Sequence, residues 1–144
     1  MSKKIKLSGI ANILYGLILM SLLMLLFVSM GIAFWNSYGM VGFILFTGLI
    51  VAVFSPTVGG YAFLMTSTGA QLLMGKKNPK KLLKSLVICK FAILGITLIS
   101  EITMIYNVGA TFEWVGSSLI LMIPQLLSIF LDLSAWLEKV EKKS

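Results

Sequence analysis

The stretch that decides the fold is LSGIANILYGLILMSLLMLLFVSMGIAFWNSYGMVGFILFTGLIVAVFSPTVGGYAFLMTSTGAQLLMG, residues 7–75, which contains no charged side chain in 69 positions. One membrane crossing needs about 20 apolar residues. A run this long therefore crosses at least twice. The first span is expected over residues 10–33. Trp35 and Tyr38 follow as interface anchors, where amphipathic rings settle. Between and just beyond them Asn36, Ser37 and Gly39 supply turn chemistry. The second apolar segment, residues 40–74, would make about 50 Å of helix against a hydrocarbon core of about 30 Å. Ser55-Pro56-Thr57-Val58-Gly59-Gly60 is the expected break in it, because Pro56 lacks a backbone donor and two glycines follow. This gives a second span over 40–58 and a helical extension over 61–74 at the cytoplasmic interface. A re-entrant piece and a full third pass are the alternatives for that extension. As broken helices can expose backbone groups that bind ions, Pro56, Gly59 and Gly60 are candidate site residues.

Outward from this run the charges resume as lysine clusters. Lys3, Lys4 and Lys6 precede it, and Lys76, Lys77, Lys80, Lys81 and Lys84 follow it around Asn78-Pro79. A third span is expected over 86–106, a short outer loop from Asn107 to Glu113 containing Gly109, and an anchor at Trp114. The fourth span, over 115–135, ends at Trp136, and Lys139, Lys142 and Lys143 lie in the tail. In this arrangement eleven of the twelve lysines fall on one side, which the positive-inside rule makes cytoplasmic. The expectation is an all-α, four-span antiparallel bundle forming one transmembrane domain over 1–144. Its second helix is broken near Pro56–Gly60, and both termini are cytoplasmic. An all-lysine, cysteine-poor chain suggests a bacterial cytoplasmic membrane. The middle lysine cluster, Lys76 to Lys84, is the topology determinant and a candidate contact for anionic lipid.

Composition supports the class. The chain is 58 % hydrophobic and 12 % charged, with a mean hydropathy of +1.00, where soluble domains carry about 25 % charge. The formal charge of +7 is therefore a sign of topology, and no nucleic-acid partner is expected. With no histidine and a single cysteine, Cys89, the usual general base and Cys/His metal sites are absent. No phosphate-binding glycine loop occurs. The nine methionines read as packing material. The chain is expected to be no enzyme and to need no cofactor or metal.

Three charges fall inside or beside the later spans: Lys90, Glu101 and Asp132. Each costs about 2.5–3.5 kcal/mol at a helix centre, so each needs a reason. Lys90, Thr97 and Glu101 fall within about 40° of one another on a helix. Ser118, Gln125, Ser128 and Asp132 share a face about 80° wide. A short outer loop makes the two helices antiparallel neighbours. Counting depth then pairs Lys90 with Asp132, brings Thr97 to Gln125 and sets Glu101 near Ser118. Ser8, Asn12 and Tyr15 share a face of the first span and are expected to cover the Lys90–Asp132 pair. The seam is foremost glue between helices, and Glu101 is its candidate ion- or proton-coupling group. Small residues recur at intervals of four in Ala62, Thr66 and Ala70, and in Gly48 and Ala52, a spacing that lets helices approach closely. Pro124 in the fourth span frees the carbonyl of Ile120.

Two functions fit. One is a non-catalytic accessory, regulatory or immunity-type membrane component that acts by helix packing with a larger membrane-protein partner. The other is a small homo-oligomeric transporter or channel using the seam and Glu101. A pore-forming lysis protein is a third, weaker fit.

Overall fold

A computed structural model describes residues 2–75, 78–109 and 112–138. It is all-helical, with no strand among the described residues. The order is α1 (Lys3–Phe54), a π-helical turn (Ser55–Gly59), α2 (Gly60–Met74), α3 (Pro79–Val108) and α4 (Phe112–Leu137). Among the described residues two stretches are long and apolar enough to cross a membrane, Lys3–Met74 and Pro79–Asn107.

α1 is interrupted once. Gly39 has φ 63° and ψ −155°, a backbone region open essentially to glycine alone, where another residue pays about 1–3 kcal/mol. The neighbouring residues Asn36, Ser37 and Tyr38 stay helical, so the turn rests on one glycine. Beyond it the chain runs back along itself. Phe34 stacks on Phe46 at 4.1 Å, and Trp35 meets Phe43 edge-on at 5.8 Å.

The expected break at Ser55–Gly60 is not a break. Without an N–H, Pro56 cannot make the α-helical bond to Ala52. The backbone widens into five π-helical residues, Ser55–Gly59, and continues directly into α2. The Thr57 hydroxyl donates to the Val53 carbonyl at 2.9 Å across this turn. Elsewhere in α1 Ser21 and Thr47 donate to the carbonyls of Leu17 and Phe43 at 3.0 and 2.7 Å. Hydroxyls that bond their own helix can face an apolar surrounding without stranding a polar group.

α3 begins earlier than the apolar span. The Asn78 side chain accepts from the Lys80 N–H at 3.2 Å and Pro79 occupies the first turn, a favoured N-terminal pair. Lysine is a good helix former, so the basic residues extend the helix past the apolar stretch. Gly109, with φ 88°, ends α3 by donating to the Ile105 carbonyl at 3.0 Å. α4 passes through Pro124 without ending.

The chain groups into two compact units, Met1–Ala11 with Gly69–Ser144, and Asn12–Thr68. In the first, the start of α1 lies against the end of α2: a Cβ at Gly9 would sit 3.0 Å from the Gly69 carbonyl oxygen. Its buried apolar residues follow helical spacing, Leu83, Leu86, Val87 and Leu94 on α3 and Ile129 and Ala135 on α4. In the second unit, the two limbs of the hairpin come close together at Gly16. A Cβ there would lie 2.2 Å from Thr66 Oγ1 and 2.7 Å from the Ala62 carbonyl oxygen. Ala62 and Thr66 of that series thus line a helix contact, while a Cβ at Gly48 would have nothing within 4 Å. Most apolar side chains between residues 17 and 53 are exposed, Leu25, Val41 and Leu45 among them.

Candidate functional site

The polar groups of the first unit converge at one buried point. Lys90 on α3 projects from the same face as Leu83, Leu86, Val87 and Leu94, all buried. Ser128 and Asp132 are four residues apart on α4 and so project one above the other. Lys90 Nζ lies 2.5 Å from Asp132 Oδ2 and also donates to Ser128 Oγ. Ser8, from the second turn of α1, donates to Asp132 Oδ1 at 2.5 Å. Both carboxylate oxygens are thus engaged, one by a cation and one by a hydroxyl. All four residues are 0–3 % exposed.

Charge-assisted hydrogen bonds are the strong kind, and here they connect three helices. A second tie lies nearer the chain ends. Ser2 Oγ accepts from the Lys4 N–H at 3.2 Å and donates to Glu138. Ser2 to Ser8 and Asp132 to Glu138 are equal intervals of six residues. The first turns of α1 therefore run antiparallel to the last turns of α4, and Ser2 and Glu138 share one end of this unit. Sequence reasoning found the Lys90–Asp132 pair from depth but missed that Ser8 bonds it directly. No local pattern signals that bond, because it depends on which helices pack against one another.

The rest of the expected seam differs. Thr97 and Gln125 share no hydrogen bond; the Thr97 hydroxyl donates to its own helix, to the Ile93 carbonyl at 2.9 Å. Own-helix bonding satisfies a threonine without help from a neighbour. Gln125 is 5 % exposed, and its Nε2 has no hydrogen-bond partner among the described residues. Glu101 is half-buried and stands eleven residues from Lys90, about 16 Å along the helix, so it is no part of the buried cluster. The side chains of Trp114 and Ser118, and Lys76 and Lys77 entirely, lie outside the described residues. Lys80, Lys81 and Lys84 are exposed on the first turns of α3. Pro56, Gly59 and Gly60 belong to the second unit. So do Asn12, which is buried, and Tyr15, whose ring meets that of Tyr61 edge-on at 6.3 Å.

The second unit also holds a cleft of about 530 Å³ between its limbs, lined by Met24, Phe27, Val28, Gly31, Trp35 and Phe43 among others. Its one hydroxyl, on Thr47, is bonded to its own helix.

Chemically, the cluster offers no accessible nucleophile. A serine–lysine pair can serve in acyl transfer, but that needs a substrate to reach the serine. Ser128 is 3 % exposed, and Lys90 is held by Asp132. The arrangement suits fixing the register of three helices. No protein-family model, no curated protein and no solved structure matches the chain.

Proposed function

We propose that this chain is a non-catalytic, four-span membrane protein with both termini cytoplasmic, acting through its exposed helical faces on a larger membrane-protein partner. An accessory, regulatory or immunity-type component is the class meant. The observation that carries the reading is a contrast of surfaces. The charged groups at the centre of the first unit are closed on one another, whereas the apolar faces over residues 17–53 are open. A conduit would need polar groups open to its path. The four-span count takes the fold-back at Gly39 as dividing Lys3–Met74 into two passes. It takes α4, 26 residues or about 39 Å of helix, as the last. The cytoplasmic assignment rests on the lysines near both chain ends.

The alternative is a homo-oligomeric transporter or channel in a bacterial cytoplasmic membrane, with Glu101 as coupling group. It is favoured by the buried, unsatisfied amide of Gln125 on the same helix face as Ser128 and Asp132. The deciding experiment is the mass and composition of the particle released from its native membrane by a mild detergent. A complex with a different, larger protein supports the first reading. A discrete homo-oligomer, whose ion or proton flux is abolished by Glu101→Gln, replaces it with the second.

A further inference from the structure

Six exposed lysines are brought to one end of the first unit. Lys3, Lys4 and Lys6 occupy the first turns of α1, and Lys80, Lys81 and Lys84 the first turns of α3. Lys80 lies ten residues before Lys90, and Glu138 lies six after Asp132. With Lys90 bonded to Asp132 and Ser2 to Glu138, the starts of α1 and α3 and the end of α4 share that end. The carboxylate described there is Glu138, already bonded to Ser2.

The local helix chemistry adds to this excess of positive charge. Neither α1 nor α3 has an acidic residue in its first turn, although acidic side chains are the stabilising choice at a helix N-terminus. Two positive helix ends and six ammonium groups thus reinforce one another, and the buried Ser8–Asp132–Lys90 bonds hold them together. Self-repulsion of this kind is relieved by an external anion.

We infer that this end of the protein is a binding surface for anionic phospholipid headgroups, with the lysines gathered around their phosphates. A bilayer meets the geometry because the lysines immediately flank the apolar helices, at the level where headgroups lie. The inference rests on the membrane reading above.

The test uses the full chain, purified in a neutral detergent and offered equal phosphatidylglycerol and phosphatidylcholine, with bound lipid read by native mass spectrometry. One lysine near an anionic surface is worth about fivefold in affinity. Retention of phosphatidylglycerol should therefore exceed that of phosphatidylcholine at least about fivefold. The preference should vanish near 1 M salt, where the screening length is about 3 Å. Replacing Lys80, Lys81 and Lys84 together by Gln should reduce it, and replacing them by Arg should keep it. Equal retention of the two lipids by the unmodified chain overturns the inference, whatever the variants do. So does displacement of the lipid by millimolar inorganic phosphate, which would point to a soluble anion. A chain that resists carbonate extraction from membranes yet shows no headgroup preference fails this inference alone, and a chain released by carbonate fails the membrane reading with it.

Discussion

The two units hold their helices together in opposite ways. In the first, a lysine, an aspartate and two serines from three helices are bonded to one another at full burial. In the second, the limbs of the α1–α2 hairpin meet through small residues at Gly16 and Ala62 and through aromatic pairs beside the turn. Directional polar bonds select one register, because a shift of one residue breaks all of them together. Steric fit is more forgiving, because a slightly displaced apolar contact loses only part of its dispersion energy. The first unit should therefore be sensitive to the chemistry of its side chains and the second to their volume.

The sharpest way to break this contrast is Asp132→Ala. It strands the Lys90 ammonium, and breaking a buried pair typically costs about 3–5 kcal/mol. Unfolding of the detergent-solubilised protein should shift by that amount. Adding Lys90→Met should restore most of it, since removing both charges is often neutral or stabilising. A double variant no better than the sum of its singles would show that the pair is not coupled.

Next in size is Gly16→Val. Its Cβ would press on a backbone carbonyl, that of Ala62, and overpacking costs about 1–3 kcal/mol. Gly48→Ala, in open space, should change stability little in the same assay. Equal effects at the two positions would remove the close approach from the account.

Gly39→Ala tests the turn alone. A side chain in this glycine-only region should cost about 1–3 kcal/mol, with Gly39→Asn no milder, because asparagine tolerates the left-handed α region and not this one. The smallest effect is expected at Gln125. Polar contacts between membrane helices average about 0.6 kcal/mol, and the Nε2 of Gln125 makes none among the described residues. Gln125→Met should thus leave stability within about 1 kcal/mol of the original. A large loss would mean that the amide has a bound partner such as an internal water.

Much of this architecture is legible in the residues. Chain reversal near Gly39 follows from the aromatic–polar–glycine punctuation of a 69-residue uncharged run. The Lys90–Asp132 contact follows from the cost of a lone charge in hydrocarbon together with an antiparallel depth count. Pro56 was less transparent, because a missing N–H says that an α-helical bond is lost but not whether the helix stops or widens. Thr97 and Gln125 show the same limit. Angular position puts them on facing stripes, yet a threonine hydroxyl can always turn to its own backbone. Ser8 was placed near the ion pair, but a direct bond to Asp132 depends on a long-range helix contact that no local pattern encodes.

That long-range contact bears on how the chain is made. Ser8 and Asp132 are 124 residues apart, so α1 and α3 must both be made before the two can meet. At synthesis rates of about 5–20 residues per second, Lys90 waits roughly 2–8 s for its aspartate. During that interval the Lys90 ammonium is without its aspartate. A chain cut short before Asp132 never escapes that condition and should be degraded faster in a pulse-chase than one that includes α4. The ion pair then acts as a check that synthesis has reached α4, met only by a chain that already contains Asp132.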